Sequence, residues 1–245
     1  EVSVVRMSSI AEFRKRSLKL RSRLKKNLQK NTNQEYIARL KEEKIKLSFA
    51  VDKWCYIIRD FLTTQECTSF IEYLHKNANQ QPMQRRPVTK KKENTVKRPR
   101  GLNWTINKAE SIATLVYDRL YAFLPKMWMD EQDGSVWQLS GINHDLKSLK
   151  YGAGDVLCPH FDTPYIKNEN ERTFITAVLY LNDEFVGGQL QFVNPDNVNM
   201  IHGVQIKQGS CMLFQHNTFH QGSEIEDGIK YMIRFDILFQ KLVFE

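Results

Sequence analysis

The spacing of apolar positions changes about halfway along the chain. Up to Pro125 they recur at helical intervals. Thr63-Thr-Gln-Glu66 has the form of a capping box with Thr63 as the cap. Behind it, Cys67, Phe70, Ile71 and Leu74 fall at i, i+3, i+4 and i+7, one face of a helix. From 107 to 124, Ile112, Leu115, Val116, Tyr117, Leu120, Phe123 and Leu124 repeat the pattern. That helix has to stop before Pro125, because proline disfavours the α conformation in the residue ahead of it. Leu20, Leu24 and Leu28, four apart within a Lys/Arg-dense stretch over 10–30, predict a further, basic helix. Residues 55–62 read as a strand entering a turn.

Beyond Pro125 the apolar runs shorten, and Gly, Asn, Asp and Pro separate them. Strands are predicted over 137–142, 146–151, 157–161, 174–181, 189–193, 203–206, 211–214, 219–223 and 231–239. Helices followed by many short strands give a mostly β chain, a barrel or sandwich buttressed by the helical N-terminal part. No internal repeat is visible.

At 245 residues the chain can bury one sizeable core with an appendage. The reading is a basic helical extension over 1–50 and one domain over 51–245, with its catalytic core at about 137–240. No apolar run approaches the roughly 20 residues of a membrane-spanning helix. No hydrophobic signal peptide opens the chain. Cys55, Cys67, Cys158 and Cys211 are scattered and form no CxxC, which favours a reduced, intracellular, cytoplasmic protein. The Arg-rich start leaves organellar targeting open.

The net charge of +8 is unevenly spread. Residues 1–50 hold 14 Lys/Arg against 5 Asp/Glu, and residues 81–100 hold 8 against 1, so the remainder is acidic. The second basic segment, with Pro82, Pro87 and Pro99, predicts a mobile surface loop over about 80–100.

The candidate chemistry lies in the β-type half. In Cys158-Pro-His-Phe-Asp-Thr-Pro164, His160 and Asp162 are two residues apart, so on a strand they project to the same side. His220, in Phe219-His-Gln-Gly222, can supply a second imidazole from a neighbouring strand. Two His and one carboxylate on one face of a metal, with three positions open, is the ligand set of non-haem Fe(II) oxygenases. Taken singly, each is as well explained as a hydrogen-bonded core histidine or a turn aspartate. His216, four residues before His220, competes for the third ligand position.

The order of motifs resolves much of this. Tyr151-Gly-Ala-Gly154 precedes His160-Phe-Asp162. Arg172-Thr-Phe-Ile-Thr-Ala-Val-Leu-Tyr-Leu-Asn182 and Gly187-Gly-Gln-Leu-Gln-Phe192 follow. Gly209-Ser-Cys-Met-Leu-Phe214 leads to His220-Gln-Gly222, and Gly228-Ile-Lys230-Tyr231 runs into Arg234-Phe-Asp236. In this order and spacing, the segment from Leu149 to Phe239 resembles the Fe(II)/2-oxoglutarate-dependent dioxygenases, within them the prolyl-4-hydroxylase-like group.

The resemblance implies a double-stranded β-helix, a jelly-roll or cupin-like core, with Fe(II) held by His160, Asp162 and His220. It favours His220 over His216, because Gln221-Gly222 and Gly228-x-Lys230 follow as in the family. It implies 2-oxoglutarate as cosubstrate, with O2 as oxidant and ascorbate as reductant. Lys230, ten residues after His220, matches the family lysine that pairs with the distal carboxylate. A carboxylate buried there needs a cation and donors to offset its desolvation. Arg234 shares the face of Lys230 by alternation and stays open as a second anchor. Tyr180 matches a tyrosine that donates to the same carboxylate, and Thr176 shares its face. Tyr151 is placed near the keto-acid end or the substrate. Gly187-Gly188 reads as a tight turn.

The implied reaction is oxidation, in the usual case hydroxylation, of a C–H bond with succinate and CO2 as co-products. A peptidyl proline, a free amino acid or another small molecule are all candidate substrates, with Arg85, Arg86, Arg98 and Arg100 able to clamp carboxylates. Two other classes stay open: an oxygenase or binder of nucleic acid using the basic segments, and a catalytically silent jelly-roll interaction module. Against the nucleic-acid reading, the paired-arginine C-terminal pattern of the alkylation-repair branch is missing, and no RRM-like aromatic–basic module is visible. Oligomeric state is not written in the sequence.

Overall fold

The computed structural model describes residues 34–78, 102–106 and 109–243, with Ser22, Arg23, Lys25, Lys26, Asn27 and Gln29. Most of the basic helix expected over 10–30 therefore lies outside the described residues. So does the loop with Arg85, Arg86, Arg98 and Arg100.

Fifteen strands occur among the described residues: β1 (Glu42–Lys44), β2 (Cys55–Ile58), β3 (Leu102–Ile106), β4 (Met127–Met129), β5 (Val136–Ile142), β6 (Leu146–Gly152), β7 (Leu157–His160), β8 (Ile166–Asn168), β9 (Glu171–Tyr180), β10 (Phe185–Gly187), β11 (Leu190–Asn194), β12 (Asn197–Val204), β13 (Cys211–Gln215), β14 (His220–Gly222) and β15 (Ile225–Lys241). They form two antiparallel sheets, the fold of a curled jelly roll. The major sheet runs β1-β2-β13-β9-β15-β5-β4, with β6, β10, β8 and β3 attached at its sides, and the minor one runs β12-β11-β14-β7.

The major sheet is buried on both faces, and alternation sorts its residues. On β15, Tyr231, Ile233, Phe235, Ile237 and Phe239 face a cluster that includes Phe70 and Leu74 of helix Thr64–Ala78 and Ile112, Val116 and Leu120 of helix Glu110–Leu120. Met232 faces the other way, into the space between the sheets, with Val178 and Tyr180 of β9, Met212 and Phe214 of β13, and Phe192 of β11. A strand covered on both sides reads as a continuous apolar run, which is why Ile175 to Tyr180 shows no polar alternation apart from Thr176.

The expected helices form at the expected places. Thr63 N–H donates to Glu66 Oε2 at 2.8 Å, and Glu66 N–H donates to Thr63 Oγ1 at 3.2 Å, closing the capping box. The second helix tightens into a 3-10 turn over Tyr121–Phe123 and ends at Leu124. The nine predicted strands are all present with shifted ends. The largest shifts are at β12, which begins six residues earlier than expected, and at β15, which extends from 231–239 to 17 residues. Residues 42–50, read above as extension, contribute to the body instead. β1 pairs with β2, and Ile45 and Leu47 are buried between the sheets. Among the described residues no helix is long and apolar enough to cross a membrane.

Glu66 has a second task. Its Oε1 accepts from Arg119 Nη2 at 2.9 Å, and both side chains are wholly buried, so one carboxylate caps the first helix and ties it to the second. Breaking such a pair leaves a charge stranded in the core. Glu66→Ala is expected to lower unfolding free energy by about 3–5 kcal/mol in urea titration. A loss under about 1 kcal/mol would show that the pair is not structurally important.

Candidate metal and cosubstrate site

In the minor sheet β14 lies antiparallel to β7, and His220 sits directly opposite His160. Both imidazoles point between the sheets, with ring centroids 4.3 Å apart. β7 ends at His160, one residue sooner than expected. Asp162 is therefore set by a different contact. Its backbone N–H donates to the carbonyl of His216 at 3.1 Å, which draws the chain back toward the end of β13. Asp162 Oδ1 then lies 3.6 Å from His160 Nε2, and Oδ2 lies 4.0 Å from His220 Nε2. The ligand atoms of the three residues all fall within 4.8 Å of one another.

The imidazoles are oriented from behind. His160 Nδ1 is 2.8 Å from the Cys158 carbonyl, and His220 Nδ1 is 2.9 Å from that of Thr218. A carbonyl only accepts, so each Nδ1 carries the proton and each Nε2 keeps its lone pair for the centre. Burial pushes the His220 pKa down to about 4, so this ring is neutral near pH 7, as a ligand must be.

Asp162 is 6 % exposed. Burial would raise its pKa, but its polar surroundings, with the charge of Arg234 and the hydrogen bond from the Thr176 hydroxyl, outweigh that. They hold it well below the usual carboxylate range. Thr176 Oγ1 donates to Oδ2 at 2.6 Å, and Arg234 Nη1 donates to Oδ1. An ionised carboxylate offers about four lone-pair sites, so these two donors leave room for a metal. The donor set, two neutral imidazoles and one carboxylate on one side, fits a divalent ion with open positions.

Near the triad, between β15 and the minor sheet, lies a pocket lined by Tyr151, Tyr180, Lys230 and Met232 on one side and by Leu157, Leu190, Gly222 and Ser223 of the minor-sheet region on the other. Lys230, 5 % exposed, is the one cation among the lining residues. Its ammonium donates to the Gly188 carbonyl and lies 5.2 Å from the Tyr180 ring centroid. Desolvation lowers its pKa to about 8. The turn presenting that carbonyl needs glycine. Gly187 and Gly188 have φ of +77° and +62°, and a Cβ on Gly188 would meet Ile225 Cδ1 at 2.2 Å. Tyr180 is buried, and desolvation raises its pKa, keeping the hydroxyl protonated and able to donate.

Two of the expected residues meet other partners. Arg234 does share the face of Lys230, but four residues of strand carry it about 13 Å away. There it pairs with Asp162 and with Asp236, whose Oδ1 it reaches at 2.8 Å, and it does not line the cavity. Thr176, expected near the cosubstrate, bonds Asp162 instead. His216 is buried with its Nε2 4.0 Å from Asp236 Oδ1, outside the triad. Sequence reasoning missed Asp236 and Lys147, which are 2.7 Å apart. The spacing Arg234-Phe-Asp236 could have flagged Asp236, since it puts both charges on one strand face.

The profile of the 2OG-Fe(II) oxygenase superfamily matches residues 146–235, the stretch from β6 to Phe235 in β15. No curated protein matches the chain. Among solved structures, the fold is similar to a prolyl hydroxylase from Trichoplax adhaerens bound to a hypoxia inducible factor peptide fragment (16 % identity, TM-score 0.52, 86 % of this chain and 91 % of that one). It is similar to the viral collagen prolyl hydroxylase of Paramecium Bursaria Chlorella virus-1 in its 2OG complex (17 %, 0.51, 79 % and 98 %). It is also similar to HygX from Streptomyces hygroscopicus with nickel and 2-oxoglutarate bound (14 %, 0.51, 81 % and 87 %). The segment from β6 to Phe235 thus matches the 2OG-Fe(II) oxygenase superfamily, and the fold is similar to that of prolyl hydroxylases.

Proposed function

We propose that the chain hydroxylates an unactivated C–H bond of a small molecule, an amino acid or a peptidyl residue such as proline. Fe(II) would be held by His160, Asp162 and His220, with 2-oxoglutarate as cosubstrate and ascorbate keeping the metal reduced. The observation that carries this reading is the cluster of three metal-ligand side chains near a pocket that holds one buried lysine and is walled by Leu157 and Gly222 of the strands carrying His160 and His220. When bound, the iron and its cosubstrate would supply O2-dependent oxidation, with succinate and CO2 as co-products.

The chain's own residues bind, orient and exclude water. His160 and His220, locked through Nδ1, and Asp162, locked through Thr176 and Arg234, fix one face of the metal and leave the opposite face for exchangeable ligands. Lys230 at the far end of the cavity would take the distal carboxylate in exchange for its bond to the Gly188 carbonyl, with the Tyr180 hydroxyl as a second donor. Tyr151, Leu157 and Leu190 wall this space with apolar surface, which strengthens the ion pair by keeping the dielectric low. Substrate class is argued only from the neighbours: two of those named are prolyl hydroxylases, one with a peptide bound. Arg85, Arg86, Arg98 and Arg100, outside the described residues, are proposed to bind carboxylates of an acidic substrate.

Succinate release from 2-oxoglutarate with Fe(II) and ascorbate should be measurable for the native chain even without substrate. It should fall to background in His160→Ala. Equal release from both proteins would mean that the triad is not the source.

Lys230→Met should raise KM for 2-oxoglutarate by about 30-fold or more, since a buried charged hydrogen-bonded pair is worth about 2–5 kcal/mol. An unchanged KM would remove Lys230 from the site. The same lysine sets a pH dependence. The dianion needs its protonated form, which dominates below the depressed pKa of about 8 and is lost as pH rises through it. KM for 2-oxoglutarate should therefore climb about tenfold per pH unit above 8, and that slope should vanish in Lys230→Met. A flat profile in the native chain would contradict the anchor.

A further inference from the structure

Arg234 and Asp236 stand two residues apart on the inward face of β15 and point the same way. Arg234 grips Asp236 Oδ1 through Nε at 2.9 Å and Nη2 at 2.8 Å, and with Nη1 it reaches forward to Asp162 Oδ1. Lys147, directly across on β6, closes the row on the other Asp236 oxygen at 2.7 Å. Charges thus alternate from the candidate metal ligand to the mouth: Asp162, Arg234, Asp236, Lys147. Lys147 alone among them is substantially exposed, at 42 % of its side chain, and the other three are at 16 % or less.

Two consequences follow from elementary geometry. A guanidinium is planar and always charged, so a partner fixed at one edge fixes the direction of its other edge. Asp236 therefore removes the freedom of Arg234, and Arg234 in turn meets the Asp162 carboxylate at one place. Thr176 fixes the second oxygen. The lone pairs left over are those turned toward His160 Nε2 and His220 Nε2. The second consequence concerns charge. A lone cation beside a metal ligand would repel the incoming ion, but Asp236 neutralises Arg234 at contact distance. Orientation remains as the main effect.

Resting on the assignment of His160, Asp162 and His220 as metal ligands, we propose that Arg234, braced by Asp236, is a positioning residue of the metal centre and not a cosubstrate anchor. It holds the Asp162 carboxylate aimed before any ion arrives.

Co(II) titration of the full chain, read by the visible absorption of the bound ion with circular dichroism to verify folding, tests this independently of turnover. Arg234→Met should weaken Co(II) binding by about 10- to 100-fold, the usual effect of removing a group that orients a ligand. Arg234→Lys, which keeps the charge and loses the fork, should fall between that variant and native. Asp236→Asn should weaken binding in the native background and have no further effect in the Arg234→Met background, because it acts through the arginine. Binding by Arg234→Met as tight as native, or tighter, would overturn the proposal, since relief of repulsion would then dominate. Full additivity of the two substitutions would also overturn it. Should Arg234→Met fail to fold, native-like affinity in both Arg234→Lys and Asp236→Asn would do the same. A native chain that does not take up Co(II), or a His160→Ala chain that takes it up equally well, would instead remove the metal assignment beneath it.

Discussion

Asp162 is a carboxylate almost entirely out of water, and much of the molecule is arranged so that it can stay charged there. An uncompensated buried carboxylate would take up a proton or force the loop outward. Here the compensation comes from the major sheet, as a hydroxyl on β9 and a guanidinium on β15. The backbone bond from Asp162 to the His216 carbonyl ties the junction between the sheets at the same point. The residue that would bind the metal is thus also a fastening between the two halves of the sandwich.

This arrangement depends on a major sheet with no wet face. Its outer side is sealed by two helices joined through Glu66 and Arg119, which frees its inner side to carry polar groups. Along the inner face of β15 the sequence Lys230, Met232, Arg234, Asp236 lays out separate regions by distance alone. Lys230 and Met232 line the pocket, Arg234 is level with the triad, and Asp236 meets the partly exposed Lys147. One long strand can do this because its alternate residues share a face and its register is unbroken against β6 from Ile229 to Arg234 and against β9 from Met232 to Ile237.

Much of this was legible in the chain. The capping box at Thr63 and the apolar faces behind it locate the helices, since local hydrogen bonds and helical spacing are sequence-local properties. The order of motifs around His160, Asp162 and His220 points to the triad, and the count of ten residues points to Lys230. What was not legible depended on contacts between distant segments. Strands of three residues such as β1, β8 and β10 are too short to show alternation, and they exist because a longer neighbour offers them an edge. Residues 42–50 look like part of a basic tail, yet Ile45 and Leu47 are drawn into the core by the pairing of β1 with β2. Arg234 and Thr176 were placed on the correct face, but their meeting with Asp162 was not foreseen, because alternation fixes direction and not depth. The His216 carbonyl could not have been found at all, since main-chain groups carry no residue signature.

The most direct test of the account is anomalous diffraction from crystals of the chain grown with Mn(II) and 2-oxoglutarate. One peak in ligand contact with both imidazole Nε2 atoms and an Asp162 oxygen is expected, with the distal carboxylate of 2-oxoglutarate on Lys230 and Arg234 still on Asp162. A peak away from those three side chains, or a dicarboxylate whose far end rests on Arg234, would contradict it.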